Sequence, residues 1–181
     1  MLAPRWSHEP LSGAGAAFHG GRWNAPGRPA LYMSRAFEVA VAEYEQELGI
    51  RPGTLCAYDV HASAIADLTD SATLADLSLP AGFLLAPWKT IFLIEKKRPA
   101  SWDLAERLLE AGIAGALVPS ARARGVNLVL WRWNEDDTCR ISALDPLGDL
   151  PRDPSSWSAE PTPRAPAASG RARRAGRRRG G

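Results

Sequence analysis

Cysteine, methionine and histidine are scarce in this chain of 181 residues, with two, two and three copies. Two thiols make no disulfide framework. Cys56 and Cys139 each stand in a segment that reads as a strand, so both are expected as small buried side chains of a reducing compartment. His8, His19 and His61 share no metal-ligand spacing with one another or with the cysteines, and no structural or catalytic metal is predicted. No apolar run approaches the ~20 residues that span a bilayer. The first residues, MLAPRWSHEP, also lack the apolar core of a secretory signal. A cytoplasmic protein with no membrane partner is expected, and no internal repeat is visible.

What is present is enough for one domain with a sizeable core: 45% of the residues are hydrophobic. The net charge of +2 is unevenly spread. Ser158 to Gly181 holds seven arginines and one acid, Glu160, a local +6 that leaves −4 on the rest of the chain. This tail is mostly Pro, Ala, Gly and Arg and has too little apolar surface to offset its ordering entropy. We therefore divide the chain into a domain over 1–157 and a disordered Arg-rich tail over 158–181. The tail has no interleaved aromatics, so any nucleic-acid contact would be electrostatic and nonspecific, and a solubilising extension is the other reading.

The segment GGRWNAPGRPALYMSRAFEVAVAEYEQE, Gly20 to Glu47, carries the strongest signal. Arg22 follows two glycines, where guanidinium and backbone can both approach an anion, and bidentate Arg–phosphate contact is a strong charge-assisted pairing. Asn24, Pro26 and Gly27 are turn formers leading into a strand over Ala30–Met33, with Ser34 placed to cap the next helix. In that helix Phe37, Val41, Tyr44 and Leu48 recur at helical spacing, and Glu38 and Glu45 lie on another face. Glu43 instead shares a stripe with Ala36 and Ala40, where small side chains admit a ligand or another element. That makes it a candidate for chemistry, against the reading in which it is solvated like most glutamates of an amphipathic helix.

Downstream, TLCAYDV (54–60) and KTIFLIEKK (89–97) read as strands. SWDLAERLLEAG reads as a helix capped by Ser101, with Leu104, Ala105, Leu108 and Leu109 inward and Gly112 at its end. IAGALV and NLVLWRW look like buried strands joined by a loop that holds Ser120, and TCRISA is a further strand. Trp131 and Trp133, two apart, are expected on one strand face. Trp23 has two readings, stacking on the ring of a bound ligand or packing beneath its loop. Mixed short strands and helices predict an α+β domain.

The same residues resemble the RES-domain family, best known as toxins of Xre/RES toxin–antitoxin pairs. GGRWNAPGRPALYMS followed by EVAVAE is similar to the family's first motif and puts its arginine on Arg22, its tyrosine on Tyr32 and its glutamate on Glu43. AGALVPSARARGVNLVLW resembles the family's VPS segment and the Asn-containing strand after it, with Ser120 and Asn127. PLSGAGAAFHGG resembles its lead-in, and LGDLPRDPSSW the ending of one bacterial branch, so the likeness covers about 4–157. Little chain precedes Pro10, where the family usually has a strand bearing a further arginine, and Arg5 is the arginine available there. Arg28 stands where the family commonly has a small or polar residue.

The resemblance implies a compact small-sheet core like that of ADP-ribosyltransferase toxins, and an enzyme that degrades NAD, its substrate and not a bound cofactor. Cleavage of the nicotinamide–ribose bond passes through an oxocarbenium-like state. Glu43 would stabilise it, Arg22 hold the diphosphate, Tyr32 orient the nicotinamide ribose, and Ser120 donate to ribose or phosphate, with Asn127 and Trp23 as further binding residues. Water or inorganic phosphate would take the ribose, giving hydrolysis or phosphorolysis. ADP-ribose transfer to a protein and a non-catalytic nucleotide- or partner-binding module are the alternatives. An Xre-type antitoxin is the implied partner.

Overall fold

The computed structural model describes residues 1–45, 49 and 51–154. Leu48, the last residues of the expected domain and the Arg-rich tail lie outside them. The element order is α1 (Ala14–His19), β1 (Leu31–Ser34), α2 (Phe37–Glu45), β2 (Ala57–Ala62), β3 (Ile65–Asp67), α3 (Ser71–Asp76), α4 (Ala100–Glu110), β4 (Gly115–Pro119), β5 (Val126–Leu130) and β6 (Cys139–Leu144). Strands β1, β5, β4 and β3 form one sheet in that order, antiparallel except for the β3–β4 pair. Strands β2 and β6 form a second, antiparallel sheet. The result is an α+β domain with a small-sheet core, the fold class read from the pattern.

Alternation along the strands divides the core into two layers. On one face of the larger sheet, Val118 and Val129 pack with Trp23, Trp131 and the buried stripe Leu104, Ala105 and Leu108 of α4. On the other face, Leu31 and Leu130 pack with Cys139 and Ile141 of the smaller sheet. The β1–β5 register opposes Tyr32 to Val129 and Ser34 to Asn127. Those four side chains therefore share the α4 side of the sheet, and the polar pair falls at its end.

Several local expectations are corrected. The 89–97 segment is no strand: Thr90–Ile94 form a π-helical turn, with Leu93 and Ile94 exposed. A short apolar run does not distinguish a strand from a helical turn. Here Phe92 packs on Trp102 of α4, with ring centroids 4.8 Å apart, rather than joining a sheet edge. Ser101 is not the cap of α4. Pro99 holds that position, and the Ser101 hydroxyl donates to the Arg22 carbonyl at 2.5 Å. Gly112, at φ +84°, follows the helix end as its left-handed conformation suggests. Trp131 and Trp133 do not share a face, because β5 ends at Leu130. Trp131 joins the α4 layer and Trp133 the layer between the sheets. Cys56 lies just before β2 rather than within it.

Candidate active site

The loop that follows α1 is pinned carbonyl by carbonyl. Trp102 Nε1 donates to the Gly21 carbonyl at 2.8 Å, Ser101 to that of Arg22, and Trp131 Nε1 to that of Trp23 at 2.7 Å. Gly21 has to be glycine: a Cβ there would meet Asn24 Oδ1 at 2.7 Å and collide with the Tyr32 hydroxyl. Trp23 is 2% exposed. Of its two readings the structure takes packing beneath the loop, so its ring is not available for stacking on a bound base.

Arg22 projects from this anchored loop. Its Nη1 donates to the carbonyl of Ala86 at 2.5 Å and to that of Leu84 at 3.4 Å. Burial lowers its pKa from the ordinary arginine value, and the Glu43 charge opposes that shift. Arg122 also acts on Arg22, as a like charge. Tyr32 as a residue is 41% exposed, but its hydroxyl is enclosed, donating to Asn24 Oδ1 at 2.7 Å and accepting from the Trp23 amide at 3.0 Å. Burial drives the phenol pKa far upward, so Tyr32 is a neutral hydrogen-bonding group and not a base at neutral pH.

Glu43 lies at the centre of the arrangement. Its Oε1 accepts from the Ser120 hydroxyl at 2.7 Å, the Asn127 amide Nδ2 at 2.8 Å and the Ala121 backbone N–H at 3.3 Å. None of the hydrogen bonds among the described residues uses Oε2. The Ser120 hydroxyl is itself saturated, since it accepts from the backbone N–H groups of Arg122 and Ala123, both at 3.1 Å. Its one hydrogen is spent on Glu43. The structure therefore brings Ser120 and Asn127 together behind the carboxylate, with Arg22 and Tyr32 on the neighbouring loop and strand.

The way α2 reaches this position was not visible in its periodicity. Phe37 is 62% exposed, and the buried residue of the helix is Val39. Val39 docks against Gly125, where a Cβ would come within 2.5 Å of its Cγ2. Glu43, one turn further along the same side, is thereby set over Ser120 and Asn127. Valine is stiff at χ1 and cannot swing clear. Gly125→Ala is expected to push α2 away, costing about 1–3 kcal/mol of stability together with activity. A Val39→Ala change in the same chain should recover part of both, as read by denaturant unfolding and turnover. Independent, additive losses would rule out this docking.

Other residues of the site carried only a turn or cap signal in the sequence. Ser34 is not a helix cap, and its hydroxyl donates across the ladder to Asn127 Oδ1 at 2.6 Å. Asn24, expected only as a turn former, is 2% exposed and joins α1, its own loop and Tyr32. Arg5 is exposed in a short 3-10 turn over Pro4–Trp6. Among the described residues no group of three His, Cys, Asp or Glu side chains is placed to hold a metal. No helix among them is long and apolar enough to cross a membrane. Two cavities open on the surface, neither lined by Arg22, Glu43 or Ser120. One of about 450 Å³ opens on the smaller sheet between Asp59, His61 and Arg140. The other, of about 190 Å³, lies between the N-terminal segment and β1 and has Tyr32 and Tyr58 in its wall.

A family model described as the RES domain matches residues 2–153. The chain belongs to the RES-domain family. All three residues that the sequence resemblance singled out, Arg22, Glu43 and Ser120, lie within the matched range. Among solved structures, a chain of the M. tuberculosis MbcT–MbcA toxin–antitoxin complex is similar at 19% identity, covering 81% of this RES protein and 79% of that chain with a TM-score of 0.48. No curated protein matches the sequence.

Proposed function

We propose that this RES protein is the toxin of a toxin–antitoxin pair and that it cleaves the nicotinamide–ribose bond of NAD by hydrolysis or phosphorolysis. The observation that carries the reading is the Glu43 carboxylate, with three donors on Oε1, no hydrogen bond among the described residues on Oε2, and a favourable interaction with the Arg22 charge. A fixed anion with one free oxygen suits a reaction in which positive charge grows on a sugar. In the proposed step the C1′–N bond breaks and its electron pair returns to the nicotinamide ring, which leaves neutral. The ribose becomes an oxocarbenium-like cation opposite Glu43, and water or phosphate adds at C1′ and gives up its proton. Interaction with Glu43 strengthens as that charge develops, so it lowers the barrier rather than only binding substrate.

Arg22 is assigned to the diphosphate and Tyr32 to the nicotinamide ribose. Ser120 and Asn127 act through the carboxylate, so Ser120 is neither a nucleophile nor a donor to substrate in this scheme. No histidine is bonded to it, and a cationic leaving group needs little covalent assistance. An Xre-type antitoxin that closes the site near Arg22 is the proposed partner, since a carboxylate can take the place of a phosphate on a guanidinium.

The deciding experiment incubates the purified protein with NAD, with and without inorganic phosphate, and identifies the products. Free nicotinamide with ADP-ribose would indicate hydrolysis, and nicotinamide with a phosphorylated ADP-ribose phosphorolysis. Label from NAD on a protein band would replace both with ADP-ribosyl transfer. No turnover by folded protein would leave a non-catalytic binding module. In cells, expression of the chain alone is expected to deplete NAD and arrest growth. Normal growth and NAD levels with soluble, folded protein present would sink the toxin reading.

A further inference from the structure

Behind Glu43 the hydrogen bonds continue past Asn127 to Ser34, the last residue of the GGRWNAPGRPALYMS segment. Ser34 is the last residue of β1 and the register partner of Asn127 in β5. Both side chains rise on the same face of the sheet, and the Ser34 hydroxyl donates to Asn127 Oδ1 while Asn127 Nδ2 donates to Glu43 Oε1. The Ser34 hydroxyl makes no other hydrogen bond among the described residues, so it has no local capping duty to explain it.

We infer that Ser34 is a positioning residue, which acts through the Asn127 amide to hold the Glu43 carboxylate with Oε2 presented to the substrate. The inference rests on the reading of Glu43 as the active carboxylate. An asparagine side chain turns easily about its terminal torsion, which is broad rather than staggered. A partner on Nδ2 alone leaves the amide plane free to tilt, and partners at both ends fix it. A donor on the carbonyl also polarises the amide and strengthens its N–H as a donor, because hydrogen bonds in series reinforce one another. Register makes the arrangement specific: a one-residue slip of β1 against β5 would turn Ser34 to the opposite face and break the series.

The test is a double-mutant cycle in the full chain, with Ser34→Ala, Asn127→Ala and both, read as kcat and KM for NAD. Ser34→Ala should lower kcat roughly tenfold, the scale of one well-placed hydrogen bond, with KM changed by less than about threefold. Because Ser34 acts only through Asn127, the same change in the Asn127→Ala background should cost nothing further. Ser34→Thr, which keeps a hydroxyl and suits a strand, should restore most of the loss. Side-chain amide NMR gives a readout independent of turnover: the Asn127 Nδ2 protons should exchange with solvent faster in Ser34→Ala than in the parent chain. Additive losses in the cycle, or unchanged Asn127 amide exchange, would overturn the inference. If the parent chain turned over no NAD, the proposed function would fail, and the amide exchange would still decide the role of Ser34.

Discussion

Glu43→Gln is expected to cut NAD turnover by roughly two to four powers of ten, about 3–5 kcal/mol of transition-state stabilisation, and to leave the fold intact. The local hydrogen bonds explain why both should hold together. Ser120, Asn127 and the Ala121 amide all donate to Oε1, so a glutamine would place its carbonyl oxygen there and keep all three partners. Its NH2 group would then occupy the position of Oε2. Substrate would meet a neutral donor where the wild-type chain offers half of an anion, and the charge that stabilises the oxocarbenium-like state would be lost. Glu38→Gln and Glu45→Gln serve as controls, since neither residue has a described bond into the cluster. Steady-state kinetics with a thermal melt on each variant would check this. A Glu43→Gln enzyme within a factor of ten of wild type, or an equal loss from Glu45→Gln, would remove Glu43 from the centre of the mechanism.

Glu43 could be singled out because it shares a stripe with Ala36 and Ala40 and falls on the final glutamate of the EVAVAE segment, and local spacing is what a single sequence displays well. The same logic failed for the apolar face of α2. Phe37, Val41 and Tyr44 have the periodicity of a buried stripe, yet Val39 is the residue buried. What decides is Gly125, 86 positions away in the chain, whose missing Cβ makes the space that Val39 enters. Ser120 and Asn127 were legible as family positions, but their convergence on one carboxylate oxygen joins residues 77 and 84 apart, and no periodicity reports such contacts. The 89–97 run shows the reverse problem. Its composition suits a strand, and the segment turns helical because Phe92 has a partner in Trp102. The two serines read as helix caps, Ser34 and Ser101, donate to distant carbonyl oxygens instead of accepting from the helix N–H groups. A hydroxyl close to a helix start bonds whatever is nearest, and here tertiary partners were nearer than the helix's own amides.

Asn24→Ala is expected to have the largest effect on stability, about 3–5 kcal/mol, although sequence pattern marks the residue as no more than part of a turn. The Asn24 Nδ2 donates to the carbonyls of Ala16 and Arg28, both at 2.9 Å, and Oδ1 accepts from the Tyr32 hydroxyl. One amide thus ties α1, the loop that presents Arg22, and the strand that presents Tyr32. Alanine would leave the Arg28 carbonyl and the Tyr32 O–H without their partners and take one of two donors from the Ala16 carbonyl, around a side chain only 2% exposed, and each orphaned buried group costs about 1–3 kcal/mol. Against a total stability of about 5–15 kcal/mol for a domain, that is a large fraction. Tyr32→Phe breaks the last of these bonds and the one from the Trp23 amide and should cost about 1–3 kcal/mol, and because the two changes share a bond their effects should fall short of additive. Urea unfolding of both single variants and the double would measure this. A cost below about 1 kcal/mol for Asn24→Ala would mean that water takes over the vacated bonds, and the Arg22 loop would then owe its shape to Trp102, Ser101 and Trp131 alone.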